Sequence, residues 1–158
     1  MTQSYSIREA TLADVETIVR HRREMFFDMG HQEPAVLDEM ADSFRTWLKE
    51  KMSKEEYRGW FAIAEDGSVA AGAGLWLMNW PPGLYTSEPW RGNVLNVYTE
   101  HQHRRRGLAR RLVTAARDWC AAKGIRVVIL HSSDEGRPLY EALGFQPTNE
   151  MRVFLTGE

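Results

Sequence analysis

The sequence predicts an α/β protein, a mixed β-sheet with flanking helices. Three observations predict it. Short apolar runs rich in β-branched and aromatic residues, such as Val94-Leu95-Asn96-Val97-Tyr98, read as strands. Between such runs lie longer stretches whose apolar residues recur three and four apart, the helical spacing. Glycine and proline punctuate the joins, and the order is strand, two helices, three strands, helix, strand, helix, strand. The 158 residues fit one domain, 1–158, with enough chain to bury a core.

Residues 5–9 alternate in polarity and form the first strand. Thr11 opens a helix with Asp14 three residues on, the arrangement of a capping box. Leu12, Val15, Ile18, Val19 and Phe26 give this helix its apolar stripe, and Gly30 ends it. Pro34 begins a second helix, with Leu37, Met40, Phe44, Trp47 and Leu48 on one side. Both helices are expected against the sheet edge or over its face. Residues 60–64 form a strand, Glu65-Asp66-Gly67 a hairpin turn, and 69–78 the returning strand. Residues 79–90 hold too much proline and glycine for regular structure and read as a long loop. After the 94–98 strand, Leu108, Leu112, Ala115, Ala116 and Trp119 mark a helix that Gly124 stops. Residues 125–130 are mostly apolar and are expected as a central strand. A short helix over 135–143 follows, stopped by Gly144, and residues 151–155 are expected to close the sheet.

Charge and cysteine content exclude several classes. With a net charge of −2, nothing global favours nucleic acid. The basic charge is local: Arg104, Arg105, Arg106, Arg110, Arg111 and Arg117 surround one helix. The one cysteine, Cys120, rules out an intramolecular disulfide and suits a reducing cytosol; on the helix stripe it reads as a small buried side chain. No signal peptide is read at the N-terminus, and no apolar run approaches the ~20 residues of a membrane span. The expectation is a cytoplasmic protein with no membrane and no nucleic-acid partner.

The junction at residues 104–109, Arg-Arg-Arg-Gly-Leu-Ala, concentrates the chemistry. A helix start leaves backbone N–H groups unpaired and carries the positive end of the dipole, so it attracts anions. Gly107 and Ala109 lack bulk, which lets a phosphate approach those amides, and the arginines add charge. The alternative for the arginine run is a solvated helix face.

This Arg-x-x-Gly-x-Ala pattern, after a strand and opening a helix, resembles the acyl-CoA pyrophosphate loop of the GNAT superfamily of N-acetyltransferases. The later run Leu-Tyr-Glu-Ala-Leu-Gly-Phe at 139–145 is similar to that family's second signature, and the two arrive in the family's order. The resemblance implies a twisted mixed sheet of about six to seven strands, whose two central parallel strands splay apart and admit acetyl-CoA as co-substrate, with no metal. It places pantetheine on the backbone of Val97, Tyr98 and Thr99, and the pyrophosphate on the amides from Arg105 through Gly107 and Leu108 to Ala109, with Arg104 and Arg106 beside them. Arg110, Arg111 and Arg137 are candidates for the 3′-phosphate. Tyr140 matches the family tyrosine near the CoA sulfur, where a protonated phenol can serve the departing thiolate. Ser133 stands where the family often has an asparagine that contacts CoA, and Gly136 where alanine is common.

No general base is legible. Asn93 and Asn96 of the 94–98 strand region cannot act as bases, Glu100 lies just beyond, and His131 ends the fifth strand. Asn96, a buried amide among apolar neighbours, must find partners and is a candidate for an orienting role. The acceptor would lie against the first two helices and the long loop, a region holding Arg22, Arg23, Glu24, Phe26, Trp76 and Trp80. Phe26 and Trp80 are the substrate-binding candidates, Trp80 first because two prolines stiffen its loop. The implied function is transfer of an acetyl group to a primary amine of a small molecule, by direct attack in a ternary complex. The alternatives are a non-catalytic acyl-CoA sensor and a protein N-acetyltransferase. A homodimer is expected as a possible state, by edge pairing of the closing strand.

Overall fold

The computed structural model describes residues 3–156; residues 1, 2, 157 and 158, the ends of the expected 1–158 domain, lie outside the described part. Local chemistry sets the first elements. The Thr11 hydroxyl accepts from the Ala13 amide while the Asp14 carboxylate accepts from the Thr11 amide, so the expected capping box is formed. Asp14 also pairs at 2.9 Å with Arg8 of β1 (Ser6–Glu9), which ties strand to helix. One 3-10 turn, Leu12–Asp14, leads into α1 (Val15–Asp28), and Gly30 at φ +104° reverses the chain. α2 (Pro34–Ser53) opens on Pro34, whose missing N–H would find no helical acceptor there anyway.

β2 (Tyr57–Ile63), β3 (Val69–Asn79) and β4 (Trp90–Thr99) continue the sheet antiparallel from β1. α3 (Leu108–Ala122) then crosses over, β5 (Val128–Leu130) returns parallel to β4, and α4 (Arg137–Ala142) follows. The sheet order is β1-β2-β3-β4-β5.

The two faces carry separate cores. On one, Leu108, Leu112, Val113, Ala116 and Cys120 of α3 pack on Trp60, Leu75 and Val94. On the other, Val15, Ile18 and Val19 of α1 and Phe44 and Leu48 of α2 pack on Tyr57 and Phe61, so both helices lie over the face. Leu48, Leu75 and Leu112 are fully buried, each worth roughly 1.5–3 kcal/mol by transfer from water. Cys120 is fully buried too, and burial pushes its thiol up to about 11.

Three expectations need correction. Among the described residues the sheet has five strands, not six to seven. β5 lies at the edge rather than the centre and is three residues long. The start of its apolar run is used in ending α3: Gly124 takes φ +77°, and the Ile125 amide donates back to the Cys120 carbonyl. Residues 151–155 form no strand; Met151 and Leu155 are 93% and 91% exposed, and Arg152 instead stacks on Phe154. A three-residue neighbour offers too few ladder hydrogen bonds to offset about 1–2 kcal/mol of backbone entropy per ordered residue. The edge through which a second copy was expected to pair is therefore not formed.

Candidate active site

β4 parts from β5 halfway along. Gly92, Asn93 and Val94 face Val128, Ile129 and Leu130, where β5 ends. Residues 95–99 of β4 have no strand on that side among the described residues. Their backbone groups form an open edge that includes Val97, Tyr98 and Thr99.

On its other side β4 carries an extra residue. Leu95 pairs with Gly74 and Tyr98 with Gly72, so two residues of β4 stand opposite Ala73 alone. Such a bulge bends the strand and sharpens its twist. Asn96 sits in it at φ +57°, a conformation that asparagine tolerates better than most residues. Its side chain is 4% exposed and satisfied at both ends: Nδ2 donates to Tyr57 Oη at 3.0 Å, and Oδ1 accepts from Arg22 Nη1 at 2.7 Å. The Tyr57 hydroxyl fills the space over Gly74, where any Cβ would collide with it, and burial pushes its pKa up to about 12. The phenol is therefore a neutral partner.

Beyond Thr99, Glu100 accepts from Arg20 Nη2 at 2.6 Å and lies 3.2 Å from His21 Nε2. Because a carboxylate only accepts, this contact puts the imidazole proton on Nε2. His21 is 1% exposed between Phe61 and Tyr98; burial, aided by the Arg20 charge, pushes its pKa down to about 4. Burial alone would raise the Glu100 pKa, but the Arg20 guanidinium and His21 hold it below its ordinary value. One 3-10 turn, His101–His103, then leads to the arginines.

The loop is shaped by two left-handed residues, Arg105 at φ +64° and Gly107 at φ +73°. Gly107 precedes α3, whose first intrahelical bond runs from the Arg111 amide to the Gly107 carbonyl, so the amides of Leu108, Ala109 and Arg110 are unpaired in the helix. A Cβ on Gly107 would meet nothing within 4 Å. The Leu108 side chain is buried in the core and brings only its backbone to the loop. Arg105, Arg106 and Arg110 make no ion pair among the described residues and are free to meet an anion. Arg104 is differently engaged: Nε donates to the Thr99 carbonyl at 2.9 Å and Nη2 to Asp28 Oδ2 at 2.7 Å. It braces the loop against α1.

Tyr140 of α4 is half-buried, edge-on to Phe145, and burial raises its pKa, so the phenol stays protonated at neutral pH. Its ring fills the space beside Gly136, where a Cβ would come within 3.1 Å. Its hydroxyl has no protein hydrogen bond among the described residues. The Ser133 hydroxyl accepts from the Gly136 amide at 3.1 Å and so stabilises the turn into α4. Arg137 pairs with Glu141 one helical turn on. His131 meets Glu150 as an exposed surface pair.

The two acceptor candidates separate. Phe26 lies beneath the Arg22 guanidinium, 5.0 Å from ring centre to Cζ, on the Asn96 side. Trp80 lies at the start of β4, its amide bonded to the Pro89 carbonyl and Arg91 stacked on its ring at 4.1 Å. Six residues of strand from Trp90 to Asn96 span about 20 Å, so Trp80 is not brought together with the bulge. Sequence reasoning missed Tyr57, which lies 39 residues before its partner Asn96 and carries no local signal. It placed Arg22 in the right region without its contact.

The profile of the Acetyltransferase (GNAT) family matches residues 16–145, a span from α1 through α4 that includes the bulge, the loop and Tyr140. The chain belongs to this family. A GCN5-related N-acetyltransferase from Ralstonia eutropha JMP134 is 35% identical with a TM-score of 0.90, over 98% of this chain and all of that one. A predicted acetyltransferase from Clostridium acetobutylicum, solved with acetyl-CoA, shares the fold at 24% identity and a TM-score of 0.85, covering 96% of each chain. An aminoglycoside N-acetyltransferase in complex with CoA shares it at 18% identity and 0.68, over 98% of this chain and 95% of that one. No curated protein matches the chain in sequence. Among the described residues no helix is long and apolar enough to cross a membrane, and no three His, Cys, Asp or Glu side chains are grouped to hold a metal ion.

Proposed function

We propose that this GNAT protein is an N-acetyltransferase that moves the acetyl group of acetyl-CoA to a primary amine of a small molecule, by direct attack within a ternary complex. One observation carries the reading: the open edge at 95–99 leads, through a single 3-10 turn, into the left-handed loop at Arg105 and Gly107. A pantetheine arm is peptide-like and suits an unpaired strand edge; a pyrophosphate suits unpaired amides at a helix start. The open space above Gly107 leaves room for a phosphate.

In this reading the backbone of Val97, Tyr98 and Thr99 bonds the pantetheine amides. The amides from Arg105 to Ala109 hold the pyrophosphate, and Arg105, Arg106 and Arg110 neutralise it. Acetyl-CoA supplies the thioester carbonyl that the amine attacks. The Tyr140 hydroxyl, unpartnered and protonated, holds the proton that the departing thiolate needs. Asn96 keeps β4 bent where the edge opens and so acts by positioning.

The test is thermal unfolding over a range of acetyl-CoA concentrations, followed by thiol release with a panel of amines. A ligand that binds only the folded state adds about 2.7 kcal/mol of stability at a hundredfold excess over Kd. A dose-dependent rise in Tm with amine-dependent thiol release supports the enzyme. A rise with no release across the panel supports a non-catalytic acyl-CoA sensor, and no rise at millimolar ligand removes both.

A further inference from the structure

Four consecutive residues of α1, from Arg20 to Arg23, carry basic side chains, and three of them have a carboxylate partner. Arg20 and His21 share Glu100, and Arg23 pairs with Asp38 at 3.0 Å. Arg22 has no carboxylate within ion-pair distance among the described residues. Its one hydrogen bond is from Nη1 to the neutral Asn96 side chain, and its Nε is buried without a partner. The guanidinium lies 4.6 Å from the centre of the Phe44 ring and 5.0 Å from that of Phe26.

Such a site carries unspent charge. Taking a guanidinium out of water is costly unless a counter-charge and hydrogen bonds replace the lost solvation. Aromatic faces and one amide oxygen replace part of it. Burial lowers the Arg22 pKa, yet arginine starts so high that it remains a cation. A single positive charge therefore stands at the bulge of β4, beside the open edge, with most of its donor fork free.

We propose that Arg22 binds a carboxylate on the acceptor, so that the substrate is an amino-acid-like compound carrying both the reactive amine and a carboxylate. The inference rests on the N-acetyltransferase reading. One planar fork matches one carboxylate, with two parallel N–H···O bonds, and one uncompensated charge matches a monoanion. A phosphate dianion would bring a second negative charge into a site walled by Phe26 and Phe44, while the neighbouring Arg20 and Arg23 are already paired with Glu100 and Asp38. The fork also lies one hydrogen bond from Asn96, so a bound carboxylate stays near the strand edge where the amine must react.

The test compares matched pairs, amino acids of varied side chain and chain length against their own carboxamides, on the intact protein. Binding is measured calorimetrically with CoA present, and kcat/KM by thiol release from acetyl-CoA. The acid of a productive pair should bind at least tenfold more tightly than its carboxamide. That ratio should fall to near one in Arg22→Met and lie between in Arg22→Lys, while both variants keep the acetyl-CoA-dependent rise in Tm. Arg22→Met removes an uncompensated buried charge but leaves Asn96 Oδ1 without its donor, so the two effects oppose each other and the Tm of the free protein should move by only a few degrees. Carboxamides bound as well as acids, or an acid preference that survives Arg22→Met, overturn the assignment and leave the acetyltransferase intact. If acetyl-CoA neither stabilises the protein nor releases thiol with any amine, it is the acetyltransferase reading that falls.

Discussion

His21 should make this protein labile to mild acid. Its imidazole is held neutral in the fold, with a pKa of about 4 against 6.5 for an unperturbed histidine, because burial disfavours the cation. In the unfolded chain it protonates freely. A depressed folded pKa means its contribution to stability is complete above pH 6.5 and is lost as pH falls toward 4. Linkage puts the loss at about 2 kcal/mol by pH 5, and about 3 kcal/mol once the pH is below both values. Carboxylates also protonate as the solution is acidified, so the measurement is a difference. Urea unfolding of wild type and His21→Phe should be followed at pH 7.5, 6.5, 5.5 and 5.0. The phenyl ring fills the same slot against Phe61 and Tyr98 without a titrating group. From pH 7.5 to 5.0 the variant should gain about 2 kcal/mol relative to wild type. A gap constant to within about 0.5 kcal/mol would refute a buried neutral imidazole.

Substitutions at three further positions probe the site. Gly107→Glu puts bulk and negative charge where the phosphate is proposed to sit; it should abolish the acetyl-CoA-induced rise in Tm, while Gly107→Ala costs only about 1 kcal/mol of stability for its left-handed backbone. Tyr140→Phe should lower kcat by about 10- to 100-fold with acetyl-CoA affinity little changed, and an unaltered kcat would make Tyr140 purely structural. Asn96→Ala leaves the Tyr57 hydroxyl and Arg22 without their shared partner and should cost about 1–3 kcal/mol in denaturant unfolding, with a fall in kcat as β4 relaxes.

What the sequence made legible follows the range of the interactions. The capping box at Thr11 and Asp14, the proline start of α2 and the glycine stops at 30, 124 and 144 are local, and each lies where residue chemistry predicts. The turn into α3 is legible for the same reason, since the glycine at 107 and the helix start are contiguous. What failed was pairing. The mostly apolar segment at 151–155 can be a strand, but a strand needs a neighbour, and β5 ends after three residues. The 125–130 run reads as central because it is mostly apolar, yet its first residues complete the turn after Gly124. The bulge was invisible for a related reason: it is a mismatch between the registers of β3 and β4, and Asn96 alone carries no sign of it. Trp80 was ranked by the rigidity of its loop, which says nothing about where along β4 that loop ends.

The contacts between α1 and β4 join two parts of the site that lie far apart in sequence. Asp28 holds Arg104 at the base of the loop, Arg20 and His21 hold Glu100, and Arg22 holds Asn96. One helix thus fixes both the proposed phosphate end of the edge and the bulge beside the proposed acceptor. Asp28→Asn isolates the first of these. The contacts it weakens, with Arg104 and with His101, are partly exposed, and such pairs contribute about 0–1 kcal/mol each, so Tm should move by only a few degrees. The released Arg104 no longer fixes the Thr99 carbonyl against α1, and the loop loses pre-organisation that acetyl-CoA binding must then restore. Acetyl-CoA affinity should fall severalfold while the preference for an acidic acceptor persists, the reverse of the pattern expected for Arg22→Met. Equal losses of both in either variant would mean that α1 moves as one rigid piece and that the two ends of β4 are not separately supported.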